Sequence, residues 1–187
     1  MKIVPFFLLL HFLPQAINVE FSGGQNRMNP RGHSVFRSLR FEIAGRSEAL
    51  PRWLRREEVG AALTYSAVRQ ARSWFGYKFG EPDDEVRAES LCVFIRHSST
   101  AHPLGLRPFA DLGTGPMWSN RRVPAATSRF NLNSQVSLGV VAFSGSIAPV
   151  RLGYRFQHIS NGGITSRNPG LNVNSFFIGV QVKKLGN

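Results

Sequence analysis

Apolar and polar side chains alternate along several short segments of this 187-residue chain, and turn-forming residues separate the segments. Residues 130–140 alternate most clearly, with one polar face and one apolar face formed by Phe130, Leu132, Val136, Leu138 and Val140. Residues 174–183 repeat this arrangement. Because successive side chains of a strand point to opposite sides, the pattern predicts β-strands with one apolar and one polar surface.

Eight strands are predicted, near residues 17–24, 35–44, 59–69, 86–96, 107–118, 130–143, 148–160 and 174–183. An even number of antiparallel strands, apolar outside and polar inside, is typical of the smallest membrane barrels. The predicted fold class is therefore all-β, an eight-stranded antiparallel transmembrane β-barrel. The same alternation also fits a soluble barrel or sandwich whose apolar face points inward.

Residues 1–16 are predicted to be a secretory signal peptide, because Lys2 precedes a short apolar run and cleavage near Ala16 is plausible. Residues 17–187 then form a single β-barrel domain. The alternative is that residues 1–16 are a buried N-terminal helix or strand. No later segment reaches 18 consecutive apolar residues, so if this chain spans a membrane it does so as a barrel.

The composition is strongly basic, with 23 Lys and Arg against 11 Asp and Glu and a net charge of +12. Such a surplus favours an anionic partner, for example phospholipid or lipopolysaccharide phosphates, although a solvated basic surface gives the same composition. Nucleic acid is not a predicted partner, because the basic residues are scattered and form no compact basic helix. The single Cys92 cannot form an internal disulfide, and no metal or cofactor is predicted.

A base and a hydroxyl lie two residues apart at the end of the predicted strand 148–160. His158 and Ser160 therefore project from the same face of that strand. Asn161 and Gly163 follow, and the Asn161 amide and the backbone near Gly163 are predicted oxyanion donors. Together these groups meet the requirements of acyl transfer. The alternative is an ordinary strand end that runs into a polar turn.

The face that carries His158 and Ser160 is otherwise apolar, with Phe156, Tyr154 and Leu152 preceding them. In a soluble protein this face would be a sealed core, which is a poor place for hydrolysis. If the face meets lipid instead, the two residues lie where a membrane-embedded ester would arrive. This reasoning favours the membrane barrel.

Three segments resemble the lipid A 3-O-deacylase (PagL) family of outer-membrane barrels, namely residues 107–118 (RPFADLGTGPMW), 153–161 (GYRFQHISN) and 168–172 (NPGLN). The resemblance is strongest over residues 105–183 and is loose over residues 17–100. It implies an outer-membrane hydrolase that removes the ester-linked acyl chain at the 3-position of lipid A. The implied partners are lipid A of lipopolysaccharide and outer-membrane lipids, and a homodimer is left open.

The resemblance implies that Ser160 is the nucleophile, His158 the general base, and Asn161 with the backbone near Gly163 the oxyanion site. The family's glutamate falls on Asn172, and no Asp or Glu follows Asp111. The predicted third member is therefore the Asn172 amide, with Asp111 from a neighbouring strand as the alternative.

A serine esterase acting on lipid A is the leading hypothesis. The alternatives are a catalytically inactive outer-membrane barrel with a structural or lipid-binding role, and a soluble secreted barrel that binds a lipid.

Overall fold

The computed structural model describes residues 12–26, 34–70, 73–74, 77–78, 85–100, 105–124, 127–168 and 170–185. Its strands are β1 (Phe12–Gln25), β2 (Val35–Ser47), β3 (Glu58–Arg69), β4 (Ser73–Trp74), β5 (Tyr77–Lys78), β6 (Glu85–Ser98), β7 (Arg107–Ser119), β8 (Phe130–Ala142), β9 (Val150–Ser160) and β10 (Leu171–Lys184). Eight of them close into a barrel in the order β1-β10-β9-β8-β7-β6-β3-β2, and β4 and β5 pair separately. The predicted eight-stranded antiparallel barrel is confirmed. The described residues contain no helix that is long and apolar enough to cross a membrane.

The barrel closes through antiparallel pairing of β1 with β10, in which Val19 lies opposite Val180. The end where β1 begins and β10 finishes is called here the terminal end, and the opposite end, where β9 passes into β10, is called the site end. Strand β1 begins before the predicted residue 17, so residues 12–16 belong to the barrel wall. Residues 1–11 lie outside the described part of the chain, and the signal peptide stays a prediction.

The outer surface of the barrel is apolar, and its interior is polar except at the site end. Leu138 is 58% exposed, whereas Gln135 on the opposite face of β8 is 2% exposed. The outward side chains of the other strands follow the same rule and include Phe21, Phe41, Ile43, Leu63, Leu91, Val93, Leu112, Ile178 and Val180. The alternative with an inward apolar face is therefore wrong, because this barrel buries amides and charges and exposes its aliphatic side chains.

The middle of the interior and its terminal end hold a network of buried charges centred on Glu42. The Glu42 carboxylate accepts hydrogen bonds from Arg96 at 2.9 and 3.0 Å and from Arg151 at 2.6 Å, and Arg40 lies 3.4 Å away. Arg96 also donates to Asp111 at 3.1 Å. Each guanidinium thus has a carboxylate partner, which offsets part of the cost of burying its charge.

A second ion pair and three aromatic rings complete this network. Arg155 donates to Glu20 at 2.5 and 3.0 Å, and its guanidinium lies 4.7 Å from the centre of the Phe177 ring. In the same way, the Arg96 guanidinium lies over the Phe94 ring and the Arg151 guanidinium lies over the Phe109 ring. Cation–π contacts let the arginines fill the interior without further acids.

At the site end the interior is apolar. A buried cluster there consists of Phe36, Val68, Val86, Ala88, Met117, Val123, Ile159, Leu171 and Val173. Ile159 and Leu171 lie opposite each other in the β9–β10 ladder, beside the loop 161–170. The cluster closes the barrel directly beneath the residues that carry the candidate chemistry.

We expect the apolar outer surface to contact lipid. Leu138→Arg is then expected to lower the free energy of unfolding by about 2–4 kcal/mol, because an arginine well inside β8 would enter the hydrocarbon region. Val182→Arg, on the same surface but close to the end of β10, is expected to cost only about 0–1 kcal/mol. Urea unfolding of each variant from phospholipid vesicles measures both values. Equal costs at the two positions would contradict a lipid-facing surface.

Candidate active site

The register of β9 and β10 brings together two of the predicted site residues. His158 lies directly opposite Asn172, and Ile159 opposite Leu171, where the two strands meet the loop 161–170. The His158 side chain is exposed on the outer surface, and Asn172 is half-buried. Residues separated by fourteen positions in sequence thus become cross-strand neighbours.

The Asn172 amide is placed to fix the tautomer of His158. His158 Nδ1 lies 2.7 Å from Asn172 Oδ1. A carbonyl oxygen can only accept a hydrogen bond, so Nδ1 carries the proton and donates it. Nε2 of the neutral ring is then left with a lone pair. An imidazole in this state can act as a general base through Nε2.

The His158 ring packs against the backbone of Gly170. A Cβ atom added at Gly170 would lie 2.9 Å from His158 Cε1, closer than side chains tolerate. Gly170 also has a φ of +65°, in the left-handed region that favours glycine. The glycine therefore forms one wall of the space that the imidazole occupies, and Asn172 forms another.

Ser160 is the last residue of β9 and lies on the same outer face as His158, two positions further toward the loop. It is half-buried and lies opposite Leu132 of β8. Among the contacts of the described residues, no hydrogen bond joins the Ser160 hydroxyl to His158. Such bonds are often long without substrate and shorten only in the reacting complex.

Asn161 and Gly163, the predicted oxyanion residues, are engaged within the loop. The Asn161 side chain is fully buried, and its amide donates to Thr165 Oγ1 at 2.5 Å and to the Arg167 carbonyl at 2.9 Å. Its Oδ1 accepts the Gly163 N–H at 2.9 Å, and its own N–H donates to Asn168 Oδ1. An oxyanion role would require some of these bonds to be exchanged, and it stays a prediction.

Asp111 does not reach His158. Its side chain is 2% exposed inside the barrel and accepts a hydrogen bond from Arg96. His158 projects from the outer surface, so the barrel wall separates the two side chains. The suggested alternative, in which Asp111 orients the imidazole, is therefore wrong.

A row of polar side chains crosses the otherwise apolar outer surface at the level of His158. Thr114 lies opposite Ser134, and their hydroxyls are 2.9 Å apart. Ser134 in turn lies opposite His158, which lies opposite Asn172. The sequence carried a signal for this row, since each residue is polar at an outward position of its strand.

A groove adjoins this row on β10. Tyr154 donates a hydrogen bond from its hydroxyl to Asn174, the next outward residue after Asn172. Both residues line a groove of about 620 Å³ that continues over β1 and β2; its other lining residues are Gly23, Gly24, Gln25, Val35, Phe36, Arg37 and Phe176. This volume is within the range of small-molecule sites. Sequence reasoning missed the groove because it depends on β1 lying beside β10.

Comparison with known proteins gives one matching family and solved barrels of the same fold. A family model described as lipid A 3-O-deacylase (PagL) matches residues 38–181. The solved structure titled "Crystal structure of the outer membrane enzyme PagL" superposes with a TM-score of 0.61 at 15% identity, covering 87% of this chain and 97% of that chain. Neisserial surface protein A (NspA) superposes with a TM-score of 0.58 at 13% identity, covering 89% of this chain and 95% of that chain.

A search of curated proteins finds no sequence match. The two structural likenesses are at low identity and show the fold alone. The family model, in contrast, spans most of the chain and includes His158, Ser160, Asn161, Gly163 and Asn172. The chain therefore belongs to the lipid A 3-O-deacylase (PagL) family.

Proposed function

We propose that this protein is an outer-membrane serine esterase that removes the acyl chain ester-linked at the 3-position of lipid A, without metal or cofactor. The observation that carries the proposal is the 2.7 Å contact of His158 Nδ1 with Asn172 Oδ1. It prepares the imidazole as a base beside Ser160, on the surface where a lipid ester would arrive. Family membership supplies the substrate class.

The proposed reaction begins when Ser160 Oγ attacks the ester carbonyl carbon while His158 Nε2 takes the hydroxyl proton. The carbonyl electrons move to oxygen and give a tetrahedral oxyanion. The intermediate collapses, the sugar oxygen leaves with the proton from His158, and an acyl-serine remains. Water then attacks the acyl-serine with His158 as base, which releases the fatty acid and restores the Ser160 hydroxyl.

Asn172 is proposed to orient the imidazole without adding charge. A histidine held in the wrong tautomer loses most of its activity, and the Asn172 carbonyl oxygen favours the productive one. A carboxylate at this position would also stabilise the imidazolium that forms during Ser160 attack. In this chain Asn172 can thus still orient the His158 imidazole. It does not supply the negative charge that the family's glutamate would contribute.

The oxyanion site is proposed to lie in the loop that Asn161 organises. The buried Asn161 amide holds the Arg167 carbonyl and the Gly163 N–H in fixed positions. Preorganised N–H donors contribute about 10²–10³ in rate when they face the developing charge. We propose that the Gly163 N–H gives up its hydrogen bond to Asn161 Oδ1 when the ester binds. It then donates to the substrate oxyanion instead.

The groove beside Asn174 is proposed to hold an acyl chain, and the polar row to meet the sugar. The groove runs from Asn174 over the side chain of Phe176, which is 75% exposed. An acyl chain lying there would run along the apolar surface of the barrel. The ester would then lie near Ser160 at the site end.

Lipid A in the outer membrane and the surrounding lipids are the proposed partners. The apolar outer surface supports a membrane location, and a structural relative is titled an outer membrane enzyme. The homodimer stays a prediction. If the protein is instead a catalytically inactive barrel, the wild-type protein will release no acyl chain in the first experiment below.

Ser160→Ala and His158→Ala are each expected to abolish deacylation while leaving the barrel folded, because both residues belong to one catalytic unit. The double variant should be no less active than the single ones, since contributions within such a unit do not add. Mass spectrometry of lipid A incubated with each refolded protein measures the released acyl chain.

Ser99→Ala and His97→Ala are matched controls, because both residues are exposed at the terminal end of the barrel. Both controls should match the wild type. Wild-type turnover by Ser160→Ala would exclude this serine as the nucleophile. An inactive wild-type protein that binds lipid A would favour the non-catalytic barrel.

Asn172→Asp is expected to raise the rate, since a carboxylate oxygen would replace Oδ1 at the same 2.7 Å contact and add a negative charge. Asn172→Ala is expected to lower the rate, but by less than Ser160→Ala, because the base remains and loses only its orientation. Initial rates at matched folded concentration decide this. Unchanged rates in both variants would make Asn172 a strand residue without a catalytic part.

Gly23→Leu is expected to lower kcat/KM for a long-chain lipid ester about tenfold or more, the loss expected when two methylenes cannot be buried. A Cβ at Gly23 meets no atom within 4 Å, so the leucine fills the groove without disturbing the wall. Gly145→Leu, equally open but in the loop before β9, is the control. Loss of activity toward a short-chain soluble ester as well would contradict an acyl-chain groove.

A further inference from the structure

Three arginines from neighbouring strands lie close together on the outer surface at the site end. Arg37 belongs to β2, Arg69 to β3 and Arg87 to β6, and all three are exposed. Arg37 and Arg87 both lie directly opposite Ala67, one on each side of β3. Arg69 lies two residues further along β3 and therefore projects from the same face as Ala67. This surface, formed by the three arginines around Ala67, is called here the arginine notch.

The notch is concave, because the residue at its centre is small and leaves room between longer side chains. Ala67 lines a groove of about 360 Å³ together with Val35, Arg37, Arg69 and Glu85. This volume is within the range of small-molecule sites. Arg37 also lines the larger groove beside Asn174, so the two grooves share this side chain.

The notch lies at the edge of the apolar outer surface. On the same three strands, four residues toward the middle of the barrel, the outward residues Phe41, Leu63 and Leu91 form a cross-strand row. All three are about half exposed, as expected of side chains that face lipid. A group held by the notch is thus placed where the hydrocarbon region ends and lipid headgroups begin.

The notch carries more positive than negative charge. Glu85 lies opposite Arg69 in the β3–β6 ladder, and Glu89 is the next outward residue after Arg87. The three arginines and these two acids leave one positive charge in excess. Among the described residues, no carboxylate forms an ion pair with the guanidinium of Arg37 or Arg87. These two guanidinium groups are therefore the ones available to an anionic ligand.

The notch is also within reach of a headgroup at the candidate active site. In the barrel, β1 alone separates β2 from β10. Since neighbouring strands lie about 4.8 Å apart, Arg37 is about 10 Å along the wall from β10. A lipid with an acyl chain in the groove beside Asn174 would have its headgroup at the site end. Ser160 would then lie on one side of that headgroup and Arg37 on the other.

We propose that the arginine notch binds a phosphate monoester on the sugar headgroup of the lipid whose ester lies at Ser160. The proposal rests on the function proposed above and adds the part of the substrate that the notch recognises. A phosphate monoester carries about two negative charges near neutral pH, and a guanidinium presents a planar fork of donors that matches its oxygens. Arg37 and Arg87 flank β3 with Cα atoms about 10 Å apart, so their long side chains can hold one phosphate between them.

The first experiment measures binding without turnover, with the full-length Ser160→Ala protein in detergent micelles. Isothermal titration gives the Kd for phosphorylated lipid A and for the same lipid A after removal of its phosphates. Arg37→Gln is expected to raise the Kd for the phosphorylated lipid about threefold, and Arg37→Gln with Arg87→Gln about tenfold, because each exposed ion pair contributes modestly. The Kd for the dephosphorylated lipid should change far less.

Arg46→Gln is the matched control, because Arg46 is an exposed arginine of the same strand β2 at the terminal end. It should keep the Kd of the parent protein for both lipids. Equal losses of affinity for the two lipids in the double variant, or no loss for either, would overturn the proposal.

Glu85→Gln tests the electrostatic basis of the site. It is expected to lower the Kd for phosphorylated lipid A about threefold, because it removes a negative charge from the notch. A variant that merely perturbs the fold would not bind more tightly, and an unchanged or higher Kd would count against the notch.

Phosphatidylglycerol tests which lipid phosphate the notch accepts, because its phosphodiester carries a single negative charge. It is expected to displace phosphorylated lipid A only weakly. Displacement as effective as that by phosphorylated lipid A itself would mean that the notch accepts any lipid phosphate, and the assignment to the sugar headgroup would fail.

Deacylation kinetics separate this proposal from the esterase function. With Ser160 present, the double variant should raise KM for phosphorylated lipid A about tenfold and change kcat far less, since the arginines contact the phosphate and not the reacting atoms. Deacylation with the same KM in the double variant and the wild type would refute the notch and leave the esterase standing. Arginine-dependent binding of the phosphorylated lipid without any deacylation by the wild type would support the notch and refute the esterase.

Discussion

Pairing of the first strand with the last constrains everything else in this molecule. Once β1 and β10 join, the wall is a single closed layer, and every side chain in it points either into the barrel or away from it. An eight-stranded wall encloses a space that side chains can fill. The alternation of the sequence therefore decides which residues must share that space.

The residues that share it are largely charged, and this has energetic consequences. Glu42 joins three arginines from different strands, and Arg155 pairs with Glu20 from the opposite end of the sequence. Loss of one partner from a buried pair typically costs about 3–5 kcal/mol, because the other charge stays buried. Slipping one strand by a single residue would turn its charges outward and leave their partners alone. The network thus favours one register over its neighbours.

The same wall explains where the proposed catalytic residues lie. His158, Ser160 and Asn172 occupy outward positions at which the remaining pattern is apolar. Polar residues that break a local rule often mark function, because they give up stability there. The loop that follows Ser160 is held by the buried Asn161, which donates to Thr165 Oγ1 and to the Arg167 carbonyl, so the rim beside the imidazole is shaped by contacts within that loop.

The strands were predictable from sequence because alternation is a local property, and the bounds of β8 and β9 differ from the predicted ones by no more than two residues. The pairing of His158 with Asn172 followed from the family pattern and not from the residues themselves. Other features could not be predicted. The contact of Arg155 with Glu20 joins residues 135 positions apart, and no local pattern encodes which cation meets which acid inside a barrel. Asn161 looked like a free donor because sequence shows its amide but not the Thr165 and Arg167 oxygens that occupy it.

The filled interior has a consequence for how the proposed esterase would encounter a lipid substrate. An apolar cluster closes the barrel beneath the loop 161–170, and ion pairs fill the space below it, so the barrel is not a conduit for lipid. The lipid ester of the proposed reaction could reach His158 only by moving along the outside of the wall. For a molecule anchored in the surrounding leaflet this search takes place in two dimensions. The quantity that governs the encounter rate is then the mole fraction of substrate among the surrounding lipids, and diluting the membrane with inert lipid would slow turnover even at constant bulk concentration.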